Sequence, residues 1–198
     1  MLSSRKTIWL GHILRTILMH NIRTANKADA ADIARIHVDT WRAAYTGIVP
    51  ESHLSRLSKA DREKRWAKTL SESANGTRVA VGSDGLVVGW SSFGPSRDSD
   101  GRGIGELYAI YLDHSHWGEG IGRELMDDAV SLLHYDGFTS VTLWVLQENS
   151  RTRAFYEQTG FSHDGASKVI EIDGKELVEL RYRKAAQQGA QPDAFGAG

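Results

Sequence analysis

Gly118, Gly120 and Gly122 alternate near the end of ELYAIYLDHSHWGEGIGR, the segment from Glu106 to Arg123. Glycines at that spacing clear side chains from a turn and let successive backbone N–H groups close around an anion. The helix that begins at Gly120 adds its own unpaired N–H groups and the positive end of its dipole, so the main chain of Gly118, Glu119, Gly120, Ile121, Gly122 and Arg123 faces one site. The chemistry this predicts is phosphate binding by the main chain from Gly118 to Arg123, with the Arg123 side chain assisting. A glycine pattern alone also fits a tight turn that simply opens a helix, so a second signal is needed.

Other reactive side chains surround that turn in sequence. Glu106 lies on the strand before it, where strict alternation puts Glu106, Tyr108, Ile110 and Leu112 on one face. Its two readings are a working carboxylate and an exposed strand glutamate. Tyr156 carries a phenol that is protonated at neutral pH and can donate a proton, or is a buried helix tyrosine beside Phe155. His114 and His116 lack further obvious ligands and read as a solvated loop, so no metal is expected. The absence of cysteine excludes disulfides, thiol nucleophiles and cysteine–zinc sites.

The elements that must position these residues follow from periodicity and turn residues. Ile22–Thr24 reads as a strand and Lys27–Ala44 as a helix with Ile33, Ile36, His37, Trp41 and Ala44 at helical spacing. Pro50 opens a second helix, and Asp61–Leu70 forms a charged third. Arg78–Val81 and Leu86–Phe93 pair through Gly82–Gly85, and the polar stretch Pro95–Gly105 reads as a mobile loop. The strand Glu106–Leu112 leads to the glycine turn and the helix Gly120–Tyr135, with Ile121, Leu125, Ala129, Leu132 and Leu133 as its core stripe. Val141–Leu146 is a strand, Asn149–Thr159 a helix with Ala154 and Phe155 inward. Val169–Ile172 and Leu177–Tyr182 form a last hairpin through Asp173–Gly174. This order predicts an α/β (α+β) domain with a mixed, mostly antiparallel central sheet flanked by helices.

The chain has 198 residues and a formal net charge of −1, which suits one domain and gives no general attraction to nucleic acid. Residues 1–18 are too short and polar to span a membrane and read as a poorly ordered extension. Residues 19–184 form the expected domain, and 185–198 have the composition of a disordered tail. A cytoplasmic protein without membrane partners is expected.

A dinucleotide fold would place its glycines directly after the strand. Here Asp113 to Trp117 intervene and a hairpin precedes the strand. The second signal is Asn149-Ser-Arg-Thr-Arg-Ala-Phe-Tyr156, closed by Gly160-Phe161. The glycine turn and this segment together resemble the GCN5-related N-acetyltransferase (GNAT) family over roughly Asn21 to Lys184. The resemblance implies the GNAT acyltransferase fold and transfer of an acetyl group from acetyl-CoA to a primary amine by direct attack in a ternary complex. It implies a small-molecule amine or a protein amine as acceptor, and family members often form homodimers. The pantetheine arm of acetyl-CoA would lie on the free edge of the strand at Ile110, Tyr111 and Leu112, and Asn149 would bond a pantetheine amide, or cap the last helix. Tyr156 matches the tyrosine that protonates the departing thiolate, and Glu106 matches the catalytic glutamate of one branch. Other branches carry their glutamate where this chain has Trp144. The family's Arg or Gln at the phosphate turn falls on Trp117, which supplies no cation. These two departures leave a second reading, a non-catalytic module that binds acyl-CoA as a sensor.

Overall fold

A computed structural model describes residues 20–73 and 76–185. The expected extension, and the expected tail apart from Ala185, therefore lie outside the described residues. Strand β1 (Asn21–Thr24) precedes a 3-10 turn at Lys27–Asp29 and helix α1 (Ala30–Ala44). The turn is fixed by reciprocal bonds: Asn26 Oδ1 accepts from the Ala28 N–H at 2.9 Å, and Asp29 Oδ2 accepts from the Asn26 N–H at 2.8 Å. Helices α2 (Glu51–Arg56) and α3 (Lys59–Glu72) follow, then β2 (Thr77–Val81), β3 (Val87–Pro95) and β4 (Gly105–Leu112). Helix α4 (Ile121–Tyr135), β5 (Ser140–Leu146), α5 (Ser150–Gln158), β6 (Ser162–Ile172) and β7 (Lys175–Ala185) complete the order.

The strands form one seven-stranded sheet in the order β1-β2-β3-β4-β5-β7-β6. All neighbours are antiparallel except β4 and β5. Helix α4 turns Ile121, Leu125, Met126, Ala129, Val130 and Leu133 into the core on one face. Helix α1 buries Ile33 and Ile36 with Leu70 of α3 against Val79 and Trp90 on the other. The mixed sheet and most element positions match the pattern read from the sequence.

Three local expectations are corrected. In α5 Tyr156 is buried and Phe155 is half-buried against the same core, as expected of Phe155, whereas Ala154 is exposed. The stretch between β3 and β4 is tied down rather than loose: Arg181 on β7 pairs with Asp98 at 3.1 Å and Asp100 at 2.8 Å. Its acidic residues Asp98 and Asp100 find a cation 83 and 81 positions away, which no local pattern reveals. The third concerns β4. Ser92 pairs with Ala109 but Phe93 pairs with Leu107, so Tyr108 is an extra residue. Such a bulge reverses alternation. Leu107 packs on the α4 side with Ile110 and Leu112, and Glu106 turns to the opposite face, that of Tyr111.

Candidate active site

The parallel pair β4–β5 holds register over only Gly105–Val141 and Glu106–Thr142. Beyond those two positions the strands separate, and a cleft of about 680 Å³ fills the gap. One wall is β4 from Leu107 to Leu112, and the other is Trp144, Val145 and Leu146 of β5. The glycine turn closes one end, while the end of α1 and the β6–β7 hairpin close the other.

The glycine turn has the features of an anion cradle. Gly118 and Gly120 both sit at φ +90°, and a Cβ at either would meet nothing within 4 Å. Among the described residues, the N–H groups from Gly118 to Gly122 have no backbone acceptor, and no side chain caps α4. The expected set is shorter at its far end: the Arg123 N–H is spent on the Gly120 carbonyl at 3.0 Å. The Arg123 guanidinium donates to the Gln158 carbonyl at 2.7 Å while still lining the cleft. The Glu119 carboxylate, unwelcome beside a phosphate, is engaged by His116 at 3.1 Å.

Trp117 is neither loose nor without a cation. Its Nε1 donates to the Leu112 carbonyl at 3.1 Å, and the Arg151 guanidinium lies 3.9 Å from its ring centroid. A cation–π contact of this kind thus holds an arginine from α5 at the cleft mouth. No local pattern signals this pairing, because 34 residues separate Trp117 from Arg151.

The strand edge offers fewer groups than expected. The Asp113 N–H donates to Val88, so alternation turns the main chain of Tyr111 toward β3 and that of Ile110 and Leu112 toward the cleft. The Leu112 carbonyl is already taken by Thr40 Oγ1 at 3.1 Å and by Trp117. What remains for a ligand is the Ile110 N–H and C=O and the Leu112 N–H. Tyr111 contributes its side chain instead, accepting from Trp41 Nε1 at 2.9 Å. Beyond β4, the Arg35 guanidinium bonds Asp113 at 2.7 Å and ties the loop to α1. Burial alone would raise the Asp113 carboxyl, but hydrogen bonds from Ser115 and Arg35 bring it down to about 2.

Asn149 caps α5 through Oδ1, which accepts from the Thr152 N–H at 3.2 Å, and it also lines the cleft. Tyr156 is 7 % exposed and reaches the same cleft. Burial, with a smaller contribution from Tyr111, pushes its phenol well above the usual value.

Glu106 is not among the residues bordering the cleft. It is 1 % exposed, and its carboxylate accepts from the Arg97 N–H at 2.8 Å and from the Arg97 guanidinium. The β4 bulge is the physical reason it leaves the face expected for it. A carboxylate that the sequence reading passed over, Glu179 of β7, does line the cleft. Its alternation partners on the strand are unremarkable, so only the sheet order could reveal it.

A model of the acetyltransferase (GNAT) family matches residues 32–161. The chain belongs to that family. It is 39% identical over 163 residues to an uncharacterized N-acetyltransferase, YuaI, of Bacillus subtilis, covering 82% of this chain and 91% of the relative. It is 26% identical over 180 residues to the L-amino acid N-acyltransferase MnaT of Escherichia coli, covering 89% and 99%. In fold this GNAT protein is similar to yncA of Salmonella typhimurium, whose structure contains acetyl-CoA. That match has a TM-score of 0.65 and 23% identity, over 89% of this chain and 99% of the other.

Proposed function

We propose that the protein transfers an acetyl group from acetyl-CoA to a primary amine by direct attack within a ternary complex. The observation that carries this reading is the splayed β4–β5 pair, which joins a backbone anion cradle to a buried tyrosine through one continuous cleft. The residues present fit the coenzyme. Five N–H groups and the dipole of α4 suit its diphosphate, with Arg151 and Arg123 nearby. Main-chain groups of Ile110 and Leu112, with Asn149, suit the pantetheine amides. Bound there, the coenzyme supplies the activated acetyl group. The protein's own tasks are orientation and proton handling. As the C–N bond forms and the C–S bond breaks, Tyr156 gives its proton to the departing sulfur; the proton shed by the amine passes to water, and water restores the phenol.

The amine must shed a proton before it attacks, which costs roughly 4–5 kcal/mol at neutral pH for a lysine-like amine. For Glu106 to take that proton, Arg97 would first have to release it. The Arg97 pairing supports a structural role instead, in which Glu106 anchors the β3–β4 loop. Glu106→Gln is therefore expected to lower the melting temperature, at a cost of about 1–3 kcal/mol for the weakened buried pair. Acetyl transfer should fall less than about tenfold. An unchanged melting temperature with a loss of about a hundredfold or more would return the base role to Glu106.

The test of the function is direct. Calorimetry should detect CoA binding, and acetyl-CoA with a panel of primary amines should yield free thiol at a rate that saturates with the amine. CoA binding without thiol release for any amine would favour the sensor reading, and no CoA binding would remove both.

A further inference from the structure

The charges lining the cleft are segregated. Arg123 and Arg151 stand at the glycine-turn end, and Glu179 is the one carboxylate among the described lining residues. Glu179 faces Leu146 across the β5–β7 pair, so it shares the sheet face of Trp41 and Tyr45 at the far end of the cleft. Lys168 on β6 reaches Glu179 Oε2 at 3.3 Å and lies 3.9 Å from the Trp144 ring centroid. An ammonium group thus already sits between this carboxylate and an aromatic face. Oε1 of Glu179 has no hydrogen-bond donor among the described residues, and a carboxylate has room for several.

Besides Lys168, the nearby charges are Arg181, which lies 5.7 Å from the Trp144 ring centroid and is paired with Asp98, Asp100 and Asp164, and Arg62, whose charge acts on Tyr111. Ile170 and Ile172 of β6 line the cleft beside it, with Trp41, Tyr45 and Tyr111 opposite. His37 stacks behind Trp41 and Tyr111 at centroid distances of 5.8 and 5.2 Å. Burial, with a smaller push from Arg62, lowers its imidazole to about 4, so it is neutral at neutral pH and does not compete as a cation. The negative charge of Glu179 also adds to the upward shift of the Tyr45 and Tyr111 phenols, which burial dominates.

Resting on the acetyl-transfer reading above, we propose that Glu179 binds the ammonium group of the acceptor, and that the acceptor is a cationic primary amine carried on an apolar or aromatic body. The amine enters between the end of α1 and the β6–β7 hairpin. Its charge meets Glu179 while its carbon skeleton packs on Trp41, Tyr45, Ile170 and Ile172. The two substrates are thereby sorted by sign, polyanion to the α4 end and cation to the β7 end.

The experiment uses the full chain with 2-phenylethylamine as the probe. Thiol release at saturating acetyl-CoA is followed against amine concentration for the wild type, Glu179→Gln and Lys168→Met. Loss of one charge-assisted contact predicts a rise of at least about tenfold in the amine KM of Glu179→Gln, with the acetyl-CoA KM unchanged. Lys168→Met breaks the same ion pair but leaves the carboxylate, so its amine KM should stay level or fall. Calorimetry of the amine against the CoA-saturated protein should give the same ranking. Equal amine KM in wild type and Glu179→Gln, an equal rise in Lys168→Met, or no binding of the amine to the CoA complex would each overturn the proposal while leaving CoA binding intact. Failure to bind CoA at all would instead overturn the acetyl-transfer reading and this inference with it.

Discussion

Tyr156→Phe is expected to lower kcat by about a hundredfold or more while leaving the affinity for CoA unchanged, the range seen when one positioned general acid is removed. The substitution deletes a single oxygen from a side chain packed beside Phe155, Phe161 and Tyr182, so the hydrocarbon contacts of the ring survive. No hydrogen bond to the Tyr156 hydroxyl is found among the described residues, so its loss strands no partner and the melting temperature should barely move. The pH dependence separates this acid from others. A general acid works while protonated and fails as pH rises through its pKa. Burial first, and Tyr111 second, raise the Tyr156 phenol above its ordinary value near 10. The kcat profile should therefore climb with pH as the amine deprotonates, with no falling limb attributable to Tyr156 up to about pH 10. A falling limb at pH 8–9, or a Tyr156→Phe variant with near-normal kcat, would assign the proton to another group.

The elements that carry this site were legible because their signals are local. Glycine spacing, the apolar stripe of α4 and the Asp173–Gly174 turn each announce themselves within a few residues. In that turn both φ values are positive, +50° and +77°, as a two-residue hairpin of type I′ requires. Tyr156 and Asn149 were legible through the segment they share in order and separation with the GNAT family, a local pattern on one helix and its cap. What escaped depends on pairings across the sheet. The bulge at Tyr108 comes from how β4 registers with β3, and one extra residue was enough to send Glu106 to the other face. Arg151 found Trp117, and Arg181 found Asp98 and Asp100, only because folding brought distant segments together. Glu179 is invisible in its own strand, where it stands between Val178 and Leu180. It gains meaning only from β7 lying next to β5, beside the gap that β4 and β5 leave.

The anion cradle yields the other large effect. Gly120→Asp is expected to weaken CoA binding by about a hundredfold or more, and Gly120→Ala by much less. The comparison works because both variants bear a backbone penalty, and the aspartate bears no more of it than the alanine. Gly120 sits at φ +90°, where an L-residue is strained by about 1–2 kcal/mol, and a Cβ there would meet nothing within 4 Å. A shared fall in melting temperature therefore measures the strain. The aspartate adds a negative charge beside N–H groups that face the diphosphate. Two like charges about 4 Å apart at an effective dielectric constant near 20 repel by about 4 kcal/mol, and partial solvation at the cleft mouth reduces that toward about 3. A cost of that size corresponds to a loss of about a hundredfold or more in affinity. The excess should shrink as salt is raised, because the position is exposed and screening acts on it. Equal CoA affinities for the aspartate and alanine variants would show that the diphosphate lies elsewhere. The α4 N-terminus would then be a helix start without a ligand, and the charge sorting along the cleft would lose its cationic end.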